Sequence, residues 1–230
     1  MHKLGLIGSR GLFGREICKF YTPTLVYNSN NISDLAQDEF DLVICAAPSA
    51  NRRTAQADPV ADAASVDQII ASLSAQRIQR LILIGTIDAV ANPDTAYGQN
   101  RLRLENFVKQ EFEHHYVLRF GNIVGADIKK NVLFDLKHDQ FLDSINLDSV
   151  TQWYPLNQLQ ADIEHALLHH SYEHTLISEP IQVREIVQRF FPDKLDQVGT
   201  APGPKANYNL PSSFSKQLVF DCMAEYVHRI

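Results

Sequence analysis

The run GLIGSRGLFG near the start of the chain places glycines at Gly8, Gly11 and Gly14. Between a strand and a helix, that spacing serves one kind of chemistry, the cradling of phosphates. Gly8 permits a tight turn off the strand, Gly11 lets the backbone approach a pyrophosphate, and Gly14 lets the next helix pack close on a sheet. The helix N-terminus adds free N–H groups and a partial positive charge. With Ser9, Arg10, Leu12 and Phe13 between the glycines, the loop is expected to hold a dinucleotide. A glycine-rich turn that binds nothing is the alternative. The apolar run before the loop and the helical periodicity after it favour the site.

Two features bear on which dinucleotide. An acid usually stands about 20 residues after the first motif glycine, where it holds the adenine ribose. Asn28 stands there instead, and Arg10 inside the loop can reach a 2′-phosphate. Both favour NADP(H), with NAD(H) left open. Ala46 and Ala47 end the third expected strand and belong beside the cofactor. Arg52 follows on the same edge, for a cofactor phosphate or a substrate anion, with plain solvation the equal alternative.

A second constellation can move a proton. Tyr97 and Arg101 are four residues apart, so on a helix they share a face. Thr86 ends the fourth expected strand, at the carboxyl edge where open parallel sheets bind ligands. Asp88, just beyond Thr86, is read as a substrate contact.

These residues need a frame. Residues 3–7, 24–27, 41–46, 80–84 and 115–120 read as strands. Helices are expected at 12–21, along the stripe Val66, Ile69, Ile70 and Leu73, and along Leu104, Phe107, Val108 and Phe112, starting near Tyr97. Alternating strands and helices imply an α/β fold, a Rossmann-type doubly wound parallel sheet with helices on both faces. The expected organisation is a single domain over 1–230, with a dinucleotide-binding core at 1–125 and a mixed region at 126–230. That region holds the last core elements and a small, trimmed substrate-binding cap. In it we expect helices at 131–136, 159–169 and 183–191, strands at 150–154 and near Leu176, a proline-rich loop at 192–211, and a last helix through Val219, Cys222, Met223 and Tyr226.

Composition narrows the function. Of 230 residues, 45% are hydrophobic, enough for a sizeable core, and the net charge is −6. That charge argues against nucleic acid and anionic membranes as partners. Cys18, Cys45 and Cys222 are odd in number and far apart, which points to a reduced, cytoplasmic protein. Cys45 falls in a buried strand and is no candidate nucleophile. No run approaches a membrane span, and the glycines come too soon for a secretion signal. The pairs His165/His169 and His170/His174 lie at i, i+4, but no HExxH or cysteine partner accompanies them, so no metal is expected. His114 and His115 read as ordinary strand-boundary residues. Trp153 and Tyr154 alternate on a strand, one in the core and the other facing cleft or solvent.

Taken together, these residues resemble the extended short-chain dehydrogenases/reductases of the NAD(P)-dependent epimerase/dehydratase type. That family carries G-x-x-G-x-x-G at the N-terminus, Ser or Thr after the fourth strand and Y-x-x-x-K on the next helix. The likeness runs over residues 3–125 and loosely beyond. RFGNIVG (119–125) is similar to the family's R-P-x-N-V-Y-G segment. KKNVLFDL and TQWYPLNQLQADI resemble members of polysaccharide and sugar-nucleotide biosynthesis. The resemblance implies hydride transfer at a carbinol or ketone carbon of a small-molecule substrate, such as a sugar nucleotide. Tyr97 would be the acid/base, its phenol lowered from pH ~10 toward neutrality by the cation at 101 and an oxidised nicotinamide. Thr86 would be the partner of the substrate oxygen, Arg101 the ribose and charge partner, and Asn122 a pocket residue beside the nicotinamide. Lys130 and Asn131, at a helix start, would meet a substrate diphosphate, with a solvated basic cap the equal alternative. A homodimer through the helix of Tyr97 is open by analogy. Arg101 stands where the family has lysine, and this supports a second reading, a catalytically inactive dinucleotide-binding sensor or scaffold.

Overall fold

The computed structural model describes residues 3–37 and 39–229. In chain order the elements are β1 (Leu4–Ile7), α1 (Leu12–Phe20), β2 (Leu25–Tyr27), β3 (Glu39–Cys45), α2 (Arg52–Ala57), α3 (Pro59–Ser74), β4 (Arg77–Thr86), α4 (Asp88–Ala91), α5 (Ala96–Glu111) and β5 (His115–Phe120). There follow β6 (Asn122–Val124), α6 (Val132–Lys137), β7 (Val150–Thr151), β8 (Trp153–Pro155), α7 (Leu159–Ala166), β9 (Tyr172–Leu176), β10 (Ile181–Gln182), α8 (Val183–Phe190) and α9 (Lys216–His228). They fall into two compact units, Met1–Arg119 with Leu159–His174, and Phe120–Gln158 with Thr175–Ile230. The break thus comes at 119/120 instead of 125, and the segment 159–174 returns to the first unit.

The first unit is built on a six-stranded sheet in the order β2-β1-β3-β4-β5-β9. β1 pairs parallel with β2 on one side and with β3 on the other, and β3 pairs parallel with β4. The chain leaves β1 toward β2, then returns to β1's other flank. That reversal opens a crevice at the carboxyl ends of β1 and β3, the usual ligand position of such sheets. Val66, Ile69 and Leu73 on α3 and Leu104, Val108 and Phe112 on α5 are buried in one cluster with sheet residues. Each such side chain contributes about 1.5–3 kcal/mol by leaving water.

β4 is longer than its apolar run and includes Gly85. A Cβ on Gly85 would lie 2.9 Å from the Glu105 carboxylate, so the glycine gives that buried acid room. Glu105 accepts from Arg119 Nε at 2.8 Å, and Arg119 also donates to Glu173 at 2.9 Å. This ties α5, β5 and β9 together.

The second unit holds two small sheets, β6 with β8 in parallel and β7 with β10 antiparallel. The single strand expected at 150–154 is broken at Gln152. Its carbonyl accepts the Asn122 N–H at 2.9 Å, and its side-chain Nε2 donates to the Ser178 and Leu210 carbonyls, each at 2.8 Å. The flanking residues therefore pair with different strands. Trp153 and Tyr154 are both fully buried, contrary to the expectation that one faces cleft or solvent. Trp153 Nε1 donates to Thr151 Oγ1, and the Tyr154 ring packs against Phe120 and Phe214. α8 starts at a capping box, in which Gln182 and Glu185 satisfy each other's backbone N–H groups. No helix among the described residues is long and apolar enough to cross a membrane.

Candidate functional site

The glycine turn is made by its backbone. Gly8 has a φ of +85°, and a Cβ there would sit 2.4 Å from the Ala46 carbonyl oxygen. Its N–H donates to Tyr27 O at 2.8 Å, which fixes the turn against the end of β2. A Cβ on Gly14 would lie 2.2 Å from the Gly8 carbonyl oxygen, so only glycine lets α1 come this close. Gly11 differs. A Cβ on it would meet nothing nearer than Gly8 O at 3.2 Å, and the loop's outer face is open there. Gly11 is also the N-cap of α1, and no side chain caps the helix. An uncapped N-terminus beside an open backbone face fits a bound phosphate.

Ser9 lies at the edge of this turn and Arg10 is exposed on it. Leu12 and Phe13, half-buried, open α1, and Ala46 and Ala47, half-buried, flank the crevice from β3. Arg15, which the sequence pattern did not single out, donates from Nη1 to the Arg10 carbonyl at 2.5 Å. Asn28 holds its place in a local turn. Its N–H donates to Asn31 Oδ1 at 2.8 Å and its Oδ1 accepts from Asn30 N at 3.0 Å.

The Tyr97 site is made by side chains from several elements. Thr86 is the last residue of β4, and α4 fills the connection to α5 with a single turn. Thr95 caps α5, accepting the Gly98 N–H at 3.0 Å. A Cβ on Gly98 would lie 2.0 Å from Asn92 O, so this glycine lets α4 and α5 touch and sets the position of Tyr97. Tyr97 is 3% exposed and lies beside Thr86, which pulls its phenol down.

Arg101 is not a free cation. It is buried with Asp62 of α3, their side chains 6% and 8% exposed. Nη1 donates to Asp62 Oδ2 at 3.0 Å, while Nη2 donates to Oδ1 at 2.8 Å and to Ser49 O at 2.8 Å. Asn100 Nδ2 adds a bond to Asp62 Oδ2 at 2.8 Å. The guanidinium lies over the Tyr97 ring, 4.3 Å from its centroid. Burial pulls the Asp62 carboxyl upward, but the bonds from Arg101 and Asn100 outweigh it and hold it below the ordinary carboxylate range.

Tyr97 therefore departs from the expectation of a lowered phenol. Burial pushes it above its ordinary value; Arg101, Arg52 and Thr86 pull it down, and Asp88 pushes it further up. The Arg101 charge acts against a low-dielectric surround and beside its own counter-ion, so it does not prevail. Asp88 and Arg52, read as substrate and cofactor contacts, meet each other here. Asp88 is buried and accepts from Arg52 Nε at 3.1 Å and from Asn92 Nδ2 at 2.6 Å. Its N–H donates to Thr86 Oγ1 at 3.3 Å. Asp62, Asn92 and Asn100 carried no signal in local spacing.

Asn122, Lys130 and Asn131 lie in the second unit. Asn131 caps α6. Its Oδ1 accepts from Leu133 N and Phe134 N, both at 3.1 Å, and its Nδ2 donates to Ile123 O at 2.8 Å. That side chain is spent on the fold. Asn122 is half-buried and Lys130 exposed.

No family model and no curated protein matches the chain. Solved structures do. The chain is similar to the dTDP-4-dehydrorhamnose reductase of Yersinia enterocolitica, with a TM-score of 0.72 and 15% identity over 99% of each chain. The dTDP-4-dehydrorhamnose reductase of Bacillus anthracis, solved in complex with NADP, gives 0.68 and 14% over 98% of this chain and 96% of that one. The UDP-glucose 4-epimerase of Brucella ovis, solved in complex with NAD, gives 0.70 and 15% over 97% and 93%. The chain shares the Rossmann-type α/β fold of these enzymes. At these identities the likeness is one of fold.

Proposed function

We propose that the chain is an NAD(P)-dependent oxidoreductase, epimerase or dehydratase acting on a sugar nucleotide or a similar polar alcohol or ketone. The observation that carries this reading is the buried Tyr97 beside Thr86 at the carboxyl edge of the sheet that also presents the open Gly11 backbone. Residues 8–14, with Ala46 and Ala47, would hold the dinucleotide, its pyrophosphate on the N-terminus of α1. When bound, its nicotinamide supplies the hydride donor or acceptor.

The protein's own part is the proton. Tyr97, held neutral by burial, is a proton donor suited to the oxygen of a carbonyl undergoing reduction. Thr86 lies beside the phenol and contacts Asp88 Oδ2 at 3.5 Å, so it can orient the substrate oxygen and share the negative charge as Tyr97 gives up its proton. Arg101 over the ring favours that developing phenolate. Asp62 is a positioning residue: it fixes Arg101 against the ring and takes up the donors that a ribose would otherwise meet. NADP(H) is the preferred cofactor in this reading, because Asn28 follows β2, the turn carries Arg10, and Arg15 stands at the start of α1. Lys130 is kept as a proposed contact for a substrate anion, and Asn122 for the nicotinamide side.

The commitment of Arg101 to Asp62 also favours the second reading, a dinucleotide sensor or scaffold without catalysis. Titration with NADPH and NADH, followed by nicotinamide fluorescence, tests both. Tight NADPH binding, with reduction of a nucleoside-diphosphate keto-sugar that is lost in Tyr97→Phe, is the expected result. Binding without turnover of any keto-sugar or sugar nucleotide would leave the sensor. Binding of neither dinucleotide by the folded chain would remove both.

A further inference from the structure

The histidines set aside in the sequence do not all lie idle. The i, i+4 pairs make ring contacts: His165 lies 5.2 Å from His169, and Tyr172 stacks on His169 at 5.0 Å and tilts toward His174 at 5.6 Å. Among the described residues, neither pair gathers a third ligand. A different grouping does, drawn from two turns of the first unit. Glu113 and His114 lie in the turn between α5 and β5, and His170 in the turn between α7 and β9. One ligand atom from each lies within 4.8 Å of the other two.

We propose that Glu113, His114 and His170 form a binding site for a first-row divalent transition ion such as Zn²⁺. Two imidazoles and a carboxylate are borderline ligands that suit zinc, nickel or copper better than calcium or magnesium. His170 Nε2 lies 3.7 Å from Glu113 Oε1. Tetrahedral zinc, with bonds near 2.1 Å, spaces its donors about 3.4 Å apart. Small rotations of exposed side chains close that gap. The His114 and His170 rings are 4.2 Å apart and inclined at 69°, an edge-to-face contact that keeps both imidazoles together. His114 Nδ1 lies 3.1 Å from the His170 carbonyl oxygen. With its proton on Nδ1, His114 donates there and presents a bare Nε2 lone pair. This is the second bond that metal-bound histidines usually make. The ion would have three protein ligands and water in the fourth place.

The position speaks for a clip and not for catalysis. His115 is the first residue of β5, so the cluster sits at the amino edge of the sheet, whereas Thr86 ends β4 at the carboxyl edge. An ion here would join the α5–β5 turn to the α7–β9 turn, pinning residues 159–174 beside β5. Tyr116 already makes one such tie, its hydroxyl donating to His169 O at 3.0 Å.

The test is a calorimetric titration of the full chain with Zn²⁺, repeated on His114→Ala, His170→Ala and the control His165→Ala. One ion per chain is expected. Affinity should fall in both ligand variants by at least the roughly 10–100-fold that loss of an outer-shell partner costs, and hold in the control. Zn²⁺ should also raise the melting temperature of the parent chain but not of His170→Ala. No saturable binding by the parent chain would overturn the proposal. So would binding that survives in both ligand variants, or that disappears in His165→Ala. Dinucleotide titration of the same variants should be unchanged, which separates this site from the glycine turn.

Discussion

The glycine turn and the Tyr97 site lie on the same sheet but are made from different materials. The turn is backbone: Gly8, Gly11 and Gly14 matter because they lack a Cβ, and their partners are the carbonyls of Gly8, Tyr27 and Ala46. The Tyr97 site is side chain: a phenol, a hydroxyl, two arginines and two carboxylates, brought from β4, α2, α3, α4 and α5. A backbone site is specified within ten consecutive residues. A side-chain site needs the fold complete before its charges meet. The first should thus fail sterically and locally, the second electrostatically and through distant residues.

The largest expected effect comes from unpairing the buried charge. Asp62→Asn leaves Arg101 without its counter-ion at a site 6% exposed. Breaking such a pair by removing one partner costs about 3–5 kcal/mol, which denaturant unfolding would read. The lowered Asp62 carboxyl gives stability that is present above its unfolded pKa, near ~3.9, and lost as pH falls through its lower folded value. The variant should therefore lose its deficit relative to the parent chain below about pH 4. With the neighbouring negative charge gone, Arg101 should also pull Tyr97 down, moving the basic limb of a pH–rate profile to lower pH. Arg101→Lys should sit between the two, because an ammonium keeps the charge but cannot make the two-pronged bond to Asp62. A deficit that stays constant to pH 2 would mean that the pair is not what holds α3 to α5.

A second experiment separates the glycines. Gly14→Ala drives a Cβ to 2.2 Å from backbone. It should cost about 1–3 kcal/mol or more, with dinucleotide binding lost as α1 is displaced. Gly11→Ala meets only Gly8 O at 3.2 Å. It should melt within a few degrees of the parent yet bind dinucleotide at least ten times more weakly, since its methyl projects onto the open face. Equal loss of stability in both would erase the distinction between a packing glycine and a ligand glycine.

This contrast explains what could be read from the sequence. The roles of Gly8 and Gly14, the stripes of α3 and α5, and Thr86 as a strand end all follow from short-range pattern. Tyr97 and Arg101 could be paired from their spacing, but not Arg101 and Asp62, which lie 39 residues apart, nor Arg101 and Ser49, 52 apart. The expectation of a lowered phenol failed for that reason, since neither the counter-ion nor the depth of burial appears in a four-residue interval. The second unit was harder still. The strand at 150–154 breaks because Gln152 is satisfied by Asn122, Ser178 and Leu210, contacts that no periodicity announces. The returning segment 159–174 shows the same limit, since its helix was legible and its place in the first unit was not.

The smallest effect is a labelling rate, and it reports on the crevice itself. Cys45 ends β3, one residue before the Ala46 carbonyl that Gly8 packs against. It is fully buried, burial pushing its thiol up to about 12. At pH 7.5 that leaves more than about a thousandfold less thiolate than an ordinary cysteine carries. Cys18, on α1 just beyond the turn, is exposed. The native chain should therefore react with a thiol reagent at Cys18 first, and at Cys45 only through opening of the sheet edge. NADPH bound at the turn should slow the Cys45 reaction and leave Cys18 nearly unchanged, because the ligand must dissociate before β1 and β3 can part. Labelling of Cys45 as fast as Cys18 would mean that the crevice is open without ligand. The close packing of Gly8 on Ala46 would then fall, and with it the contrast between a preformed backbone site and an assembled side-chain one.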